Sequence, residues 1–159
     1  MRNNTLTLSI AAAVIAAAGV AVVAQQKAPA STAAKTMVTV YKTSSCGCCK
    51  LWVDHMKASG FDVQAMDVSS ADVRAVSKAA GLKDEDTSCH TAKVGNYTVE
   101  GHVPADDIKR MLKEKPAIAG IAAPGMPQGS PGMEQGTKEP YDVIAFTKDG
   151  KSTVFAKHK

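Results

Sequence analysis

Apolar residues along this chain change their period at intervals, and those changes mark out its elements. Met37–Lys42 (Met-Val-Thr-Val-Tyr-Lys) has the Val and Tyr density of a strand. Cys48–Ser59 brings Leu51, Trp52 and Met56 to helical spacing, with Gly60 just past the end, and predicts a helix with those three as core candidates. Phe61–Val68 predicts a second strand. Ser69-Ser70-Ala71-Asp72 then has the form of a capped helix start. Val73, Val76 and Ala80 recur at helical spacing behind it, and Gly81 closes that helix. Asp84–Ser88 is polar and predicts a loop. Thr91–Val94 and Tyr97–Glu100 predict a hairpin turning at Gly95-Asn96. Pro104 suits the first position of a third helix, with Ile108, Met111 and Leu112 as its apolar face and Pro116 beyond its end.

The two ends follow other patterns. Leu8–Ala24 is apolar apart from Ser9 and Gly19, follows the positive Arg2, and ends on small residues before Gln25. That pattern predicts a signal peptide over 1–24; an uncleaved anchor is the competing reading, for which the run is slightly short. Residues 25–36 are small and polar without periodicity, and predict a disordered linker. Ala117–Pro140 is rich in Gly and Pro and predicts a long loop, of a length that is usually functional or disordered. Tyr141–Thr147 and Ser152–Ala156 predict a final hairpin around Lys148-Asp149-Gly150. The chain therefore divides into a leader, a linker and one domain over 37–157.

Composition changes this picture little. The chain has 159 residues and a net charge of +4. Removing 1–24 takes away only Arg2 among the charged residues. The charges are mixed along the chain and aromatics are few, which gives no case for nucleic acid. Export matters more, because it puts the cysteines in an oxidising compartment. Free thiols persist there only when shielded, reduced by a partner or bound to metal.

Three of the four cysteines fall in Ser45-Cys46-Gly47-Cys48-Cys49, where the first strand gives way to the first helix. The element order β-α-β-α-β-β-α over 37–115 is that of a minimal thioredoxin-like α/β domain, which keeps a CxxC at this junction. Free N–H groups and the helix dipole there favour thiolate. Cys48 is additional, and three crowded thiolates repel unless a cation or a disulfide relieves them. Soft ions such as Cu(I) or Ag(I) suit such a site, and Zn(II) is also compatible. Two disulfides, Cys46–Cys49 and Cys48–Cys89, are the structural alternative, although a CxxC bridge closes almost no loop.

The thioredoxin-like order places Thr87-Ser88-Cys89-His90-Thr91 beside the CxxC. A proline is usual there; a cysteine and a histidine stand instead. His90 is a ligand candidate, although neighbours in a strand point to opposite faces. His102 reads as a capping or exposed residue, His55 as exposed, and His158 as uninformative. Met37, Met56, Met66 and Met111 read as core filler. Met126 and Met133 sit in Gly/Pro sequence with nothing periodic to bury them. Thioethers bind Cu(I), so this segment is expected to close over the thiols as a lid.

Cys46-Gly47-Cys48-Cys49, Cys89-His90-Thr91, Gly101-His102-Val103-Pro104-Ala105 and Gly125-Met126-Pro127 to Gly132-Met133-Glu134 together resemble the signature of a bacterial periplasmic family. That family was long catalogued as a domain of unknown function and includes CopG-type copper-resistance proteins. The resemblance spans about residues 37–157. It implies a thioredoxin-like fold, a periplasmic location and copper binding in metal tolerance, beside other periplasmic copper-handling proteins. It makes Cys46, Cys48 and Cys49 cluster ligands, with Cys89, Met126 and Met133 as further ligands or supporting groups.

The expectation is thus a copper-binding protein holding Cu(I), as one ion or a small thiolate-bridged cluster. Cu(I)/Cu(II) conversion is an activity its thiols would support, and no catalytic residue is assigned. No membrane contact is expected once the leader is cleaved. A metal-free periplasmic thiol–disulfide oxidoreductase is the alternative, and a structural zinc module is a third reading.

Overall fold

A computed structural model describes residues 35–159. The predicted signal peptide over 1–24, and the linker apart from Lys35 and Thr36, lie outside the described residues. The described chain is mixed α/β: one seven-stranded sheet with three helices. In chain order the elements are β1 (Met37–Lys42), α1 (Gly47–Ala58), β2 (Asp62–Asp67), α2 (Ser70–Ala79), β3 (His90–Val94), β4 (Tyr97–Glu100), α3 (Ala105–Glu114), β5 (Gly120–Ala122), β6 (Tyr141–Phe146) and β7 (Ser152–His158). The sheet order is β2-β1-β3-β4-β5-β6-β7. β1 runs parallel to β2 and antiparallel to β3; β4 runs antiparallel to β3 and parallel to β5.

Central position in the sheet explains the strand sequences. Val38 and Val40 of β1 are fully buried, as are Ala92 and Val94 opposite them in β3. β2 is the sheet edge, and most of it is exposed. Met66 on β2 is therefore 41% exposed, and Met37 at the start of β1 is 49% exposed. These two methionines are not core filler; Met56 and Met111 are.

In α1 the buried residues are Cys49, Trp52, Val53 and Met56, the i, i+3, i+4, i+7 stripe of an amphipathic helix. Leu51 lies off that stripe and is 45% exposed, against its assignment to the core. α2 starts as expected, with the Asp72 N–H donating to Ser69 Oγ at 3.1 Å. Its inward face is Val73 and Ser77, with Val76 only half-buried.

β5 is absent from the sequence expectation, which made all of 117–140 a loop. Gly120-Ile121-Ala122 pairs instead with both β4 and β6 and is wholly buried. Its start requires glycine. A Cβ at residue 120 would meet the Thr98 carbonyl oxygen at 1.8 Å and the Phe146 ring at 2.8 Å.

The last strand runs two residues further than the expected Ser152–Ala156, to His158. His158 Nε2 lies 2.7 Å from Asp107 Oδ2 of α3, and its ring stacks on Tyr141 with centroids 4.8 Å apart. Far from uninformative, His158 fastens the chain end to α3. Arg110 adds a bond to the Phe155 carbonyl at 2.9 Å and lies over the Phe155 ring.

Candidate metal centre

Three segments meet at the N-terminus of α1. The first is the turn Thr43–Cys49, where Cys46 caps α1 and its Sγ accepts from the Cys49 N–H at 3.3 Å. The second is Thr87–His90, which leads into β3. The third is Gly101–Pro104, which joins β4 to α3. β1, β3 and β4 are neighbours in the sheet, so their ends bring these segments together.

The four sulfur atoms form one group. Cys46 and Cys49 are joined by a disulfide, and Cys48 and Cys89 are free. Cys48 Sγ is 3.6 Å from Cys46 Sγ and 3.8 Å from Cys89 Sγ. Cys49 Sγ is 3.5 Å from Cys89 Sγ. The structural pairing Cys48–Cys89 considered from sequence is not formed. Cys46 and Cys48 are half-buried at the solvent side, and Cys49 is fully buried.

A second group shares Cys89. Its Sγ lies 3.4 Å from His90 Nδ1 and 3.1 Å from His102 Nε2. One ligand atom from each of Cys89, His90 and His102 falls within 4.8 Å of the others, as do those of the four cysteines. Both histidines are fully buried. His102 is therefore neither a cap nor a surface residue. The capping histidine is His55, whose Nε2 accepts from the Ala105 N–H at 3.1 Å; it is half-buried rather than exposed. Only the motif Gly101-His102-Val103-Pro104 hinted at His102, because a residue after a strand carries no periodicity to reveal which way it turns.

The tautomer of His102 follows from its partner. Its Nδ1 is 2.8 Å from the Pro131 carbonyl, which can only accept, so Nδ1 carries the proton. Nε2 then turns its lone pair toward Cys89. His90 packs under the Trp52 ring with centroids 4.6 Å apart, and its Nε2 is buried without a hydrogen-bond partner. An orphaned buried nitrogen is rare in proteins and calls for a reason. A bound cation would supply one.

Burial dominates the protonation of this site. It pushes the Cys89 thiol up to about 12, and the adjacent Cys48 adds to the rise. It pushes His90 down to about 3, helped by His102 and Lys42. His102 is lowered by burial too, against the opposing pull of its Pro131 bond. The site thus keeps neutral imidazoles with free lone pairs and a thiol that ionises only when a cation replaces its proton.

Burial also lowers His55. His55, His90 and His102 are all held below the ordinary 6.5, so the stability they contribute is complete above about pH 6.5. It is lost as pH falls toward their depressed values, because the unfolded chain takes up protons first. Glu100, pushed up to about 7 by burial, acts in the opposite sense. Asp86, also raised by burial, acts in the same sense as Glu100, and the three imidazoles outweigh these two carboxyls. We expect the melting temperature of the metal-free protein to fall steadily between about pH 6.5 and 4; a flat profile in a thermal melt series would contradict this balance.

The Gly/Met segment lies on the site at both ends. Ser88 Oγ donates to the Gly125 carbonyl, and the Gly125 N–H donates to the Thr87 carbonyl at 3.0 Å. At the other end Gly132 has φ +87°, and a Cβ there would meet the Cys48 carbonyl oxygen at 2.8 Å and the Trp52 nitrogen at 2.9 Å. Only glycine allows the segment to rest on the first turn of α1. Between these ends Met126 is 52% exposed, and Met133, just past Gly132, is half-buried.

Comparison with known proteins places this geometry. Residues 87–133 match the family described as "Protein of unknown function, DUF411", a span running from the Cys89 segment to Met133. A solved structure of "Copper resistance protein copG", form 1, is 40% identical with a TM-score of 0.72, over 78% of this chain and 98% of that one. Form 2 is likewise 40% identical, with a TM-score of 0.71 over 79% and 99%. A search of curated proteins finds no match.

Proposed function

Since this chain belongs to the family of the copper resistance protein CopG, we propose that it is a periplasmic copper-binding protein that holds Cu(I) for copper tolerance. One observation carries the reading: four sulfurs and two neutral imidazoles converge, with Cys89 common to both groups. Thiolate, imidazole and thioether are the donors Cu(I) prefers, and no carboxylate belongs to either group. Cys46, Cys48, Cys49, Cys89 and His90 are the proposed ligands, and His102 joins them. A sulfur shared by two ligand groups suits a bridging thiolate and a small cluster. Met126, the more exposed thioether, suits first capture of the ion, with Met133 nearer the interior. The apolar run over 1–24, read as a leader, supports export. The β1-α1-β2-α2-β3-β4-α3 portion, with its CxxC at the start of α1, supports a thioredoxin-like reading of the core.

The Cys46–Cys49 bridge gives the proposal a redox side. Two Cu(II) ions take one electron each from the thiolates of Cys46 and Cys49, giving two Cu(I) and the disulfide. A thiol reductant returns the disulfide to two thiols before the next load. The bridge also favours the second reading, a thiol–disulfide oxidoreductase without a physiological metal.

An anaerobic Cu(I) titration against a chromophoric chelator separates the two. The reduced protein is expected to bind one or more Cu(I) tightly. With the Cys46–Cys49 bridge intact, two of the four thiolates are gone and the affinity should drop at least tenfold. A reduced protein that cannot compete with a weak chelator, yet turns over in an insulin-reduction assay, would establish the oxidoreductase instead.

A further inference from the structure

We propose that Glu100 is a positioning residue for this site: its carboxylate holds the chain on both sides of Cys89-His90 and so aims both side chains at the cluster. Glu100 ends β4, is only 1% exposed, and pairs across the sheet with Thr91. One oxygen, Oε1, accepts the Ser88 N–H at 2.8 Å. The other, Oε2, accepts the Thr91 hydroxyl at 2.6 Å. Ser88 and Thr91 are the two residues that flank Cys89-His90. The grip is therefore a bracket around the ligand pair, reinforced by the Gly101 N–H donating to the His90 carbonyl at 2.9 Å.

The choice of residue is otherwise costly. A buried carboxylate needs compensation, and a cation is the usual one. No ion pair among the described residues includes Glu100, and its two hydrogen-bond donors are neutral groups. An apolar side chain would fill the same space but leave the Ser88 N–H without an acceptor. Glutamine keeps one acceptor. Its oxygen can serve the Ser88 N–H, while its amide donates to a Thr91 hydroxyl that turns to the Val73 carbonyl, 3.4 Å away. Removing the acceptor should thus release Cys89 and His90, and glutamine should largely spare them.

The functional meaning of this bracket rests on the copper reading, but its test does not. In the Cys48→Ser protein with Cys46 and Cys49 bridged, Cys89 is the one free thiol. A pocket lined by Thr43, Val73, Arg74, Ser88, Cys89 and Glu100 gives a small reagent access to it. In that protein, Glu100→Leu and Thr91→Val are expected to raise the rate of Cys89 alkylation by iodoacetamide roughly tenfold or more. Glu100→Gln should stay within about threefold of the parent. Val143→Ala, remote from the site, sets what general loosening contributes. Thr91→Val removes one arm with little change of shape, so it answers the question even where Glu100→Leu fails to fold. In the protein with all four cysteines, the same two substitutions should weaken Cu(I) binding about 10–100-fold, the usual penalty for losing an outer support of a ligand. Alkylation rates of Thr91→Val no higher than those of Val143→Ala would overturn the proposal, whatever copper does. Raised alkylation with unchanged copper affinity would uphold the bracket and count against Cys89 and His90 as ligands.

Discussion

Replacing Cys89 with serine is expected to abolish tight Cu(I) binding more completely than any other single cysteine substitution. The reason is its place in the geometry. Cys89 Sγ is within 3.8 Å of Cys48 Sγ, 3.5 Å of Cys49 Sγ and 3.1 Å of His102 Nε2. Its loss removes one donor from each of two groups and takes away the sulfur that would join them. Cys46 belongs to the sulfur group alone. Loss of an outer partner of a metal ligand typically costs 10–100-fold in affinity. Loss of the shared ligand should exceed about 100-fold, and Cys46→Ser should fall short of it. Chelator competition on reduced, metal-free proteins measures both. A Cys46→Ser protein as weak as Cys89→Ser would show that the two groups do not act together.

The second large effect is on the fold. Trp52→Ala is expected to destabilise the protein by about 3–5 kcal/mol, the usual result of deleting a large buried aromatic. Trp52 is fully buried, and its Nε1–H donates to the Val103 carbonyl at 2.9 Å. That bond ties α1 to the segment carrying His102, while the ring packs on His90 and the Trp52 backbone lies under Gly132. One residue therefore joins the CxCC helix to both histidine segments and to the Gly/Met segment. A thermal melt should show a loss of roughly 10–20 °C for a domain of this size. Trp52→Phe keeps most of the volume and should lose less, about 1–3 kcal/mol, because the buried Val103 carbonyl is left without its donor. A loss under about 1 kcal/mol for Trp52→Ala would mean that the site closes around the cavity without it.

Both effects show why parts of this protein are readable along the chain and parts are not. Local pattern sufficed where the chain's own period sets the structure. The observed helices begin within one residue or so of their expected starts, and both hairpins appear with their turns in place. The CxCC run falls at the first turn of α1 because Cys46 acts as its cap. Element order predicts Cys89 beside the CxxC, and the order of β1, β3 and β4 in the sheet brings the two together.

The failures share a different cause. Leu51 and Trp52 are neighbours of similar hydrophobicity, and only the direction of the core relative to α1 exposes one and buries the other. Met66 is exposed because β2 is an edge strand, which its own sequence does not state. β5 has three residues; its glycine is demanded by Thr98 and Phe146, both more than twenty residues away in the chain.

Hydrophobic period, caps and ligand type are local properties, and they are enough to specify the α/β alternation and the sulfur-rich chemistry. Tertiary structure alone decided that His102 faces Cys89, that His55 caps α3 and that Glu100 brackets Cys89-His90. Those roles depend on which distant backbones come within a few ångströms, and that is set by packing the whole sheet at once.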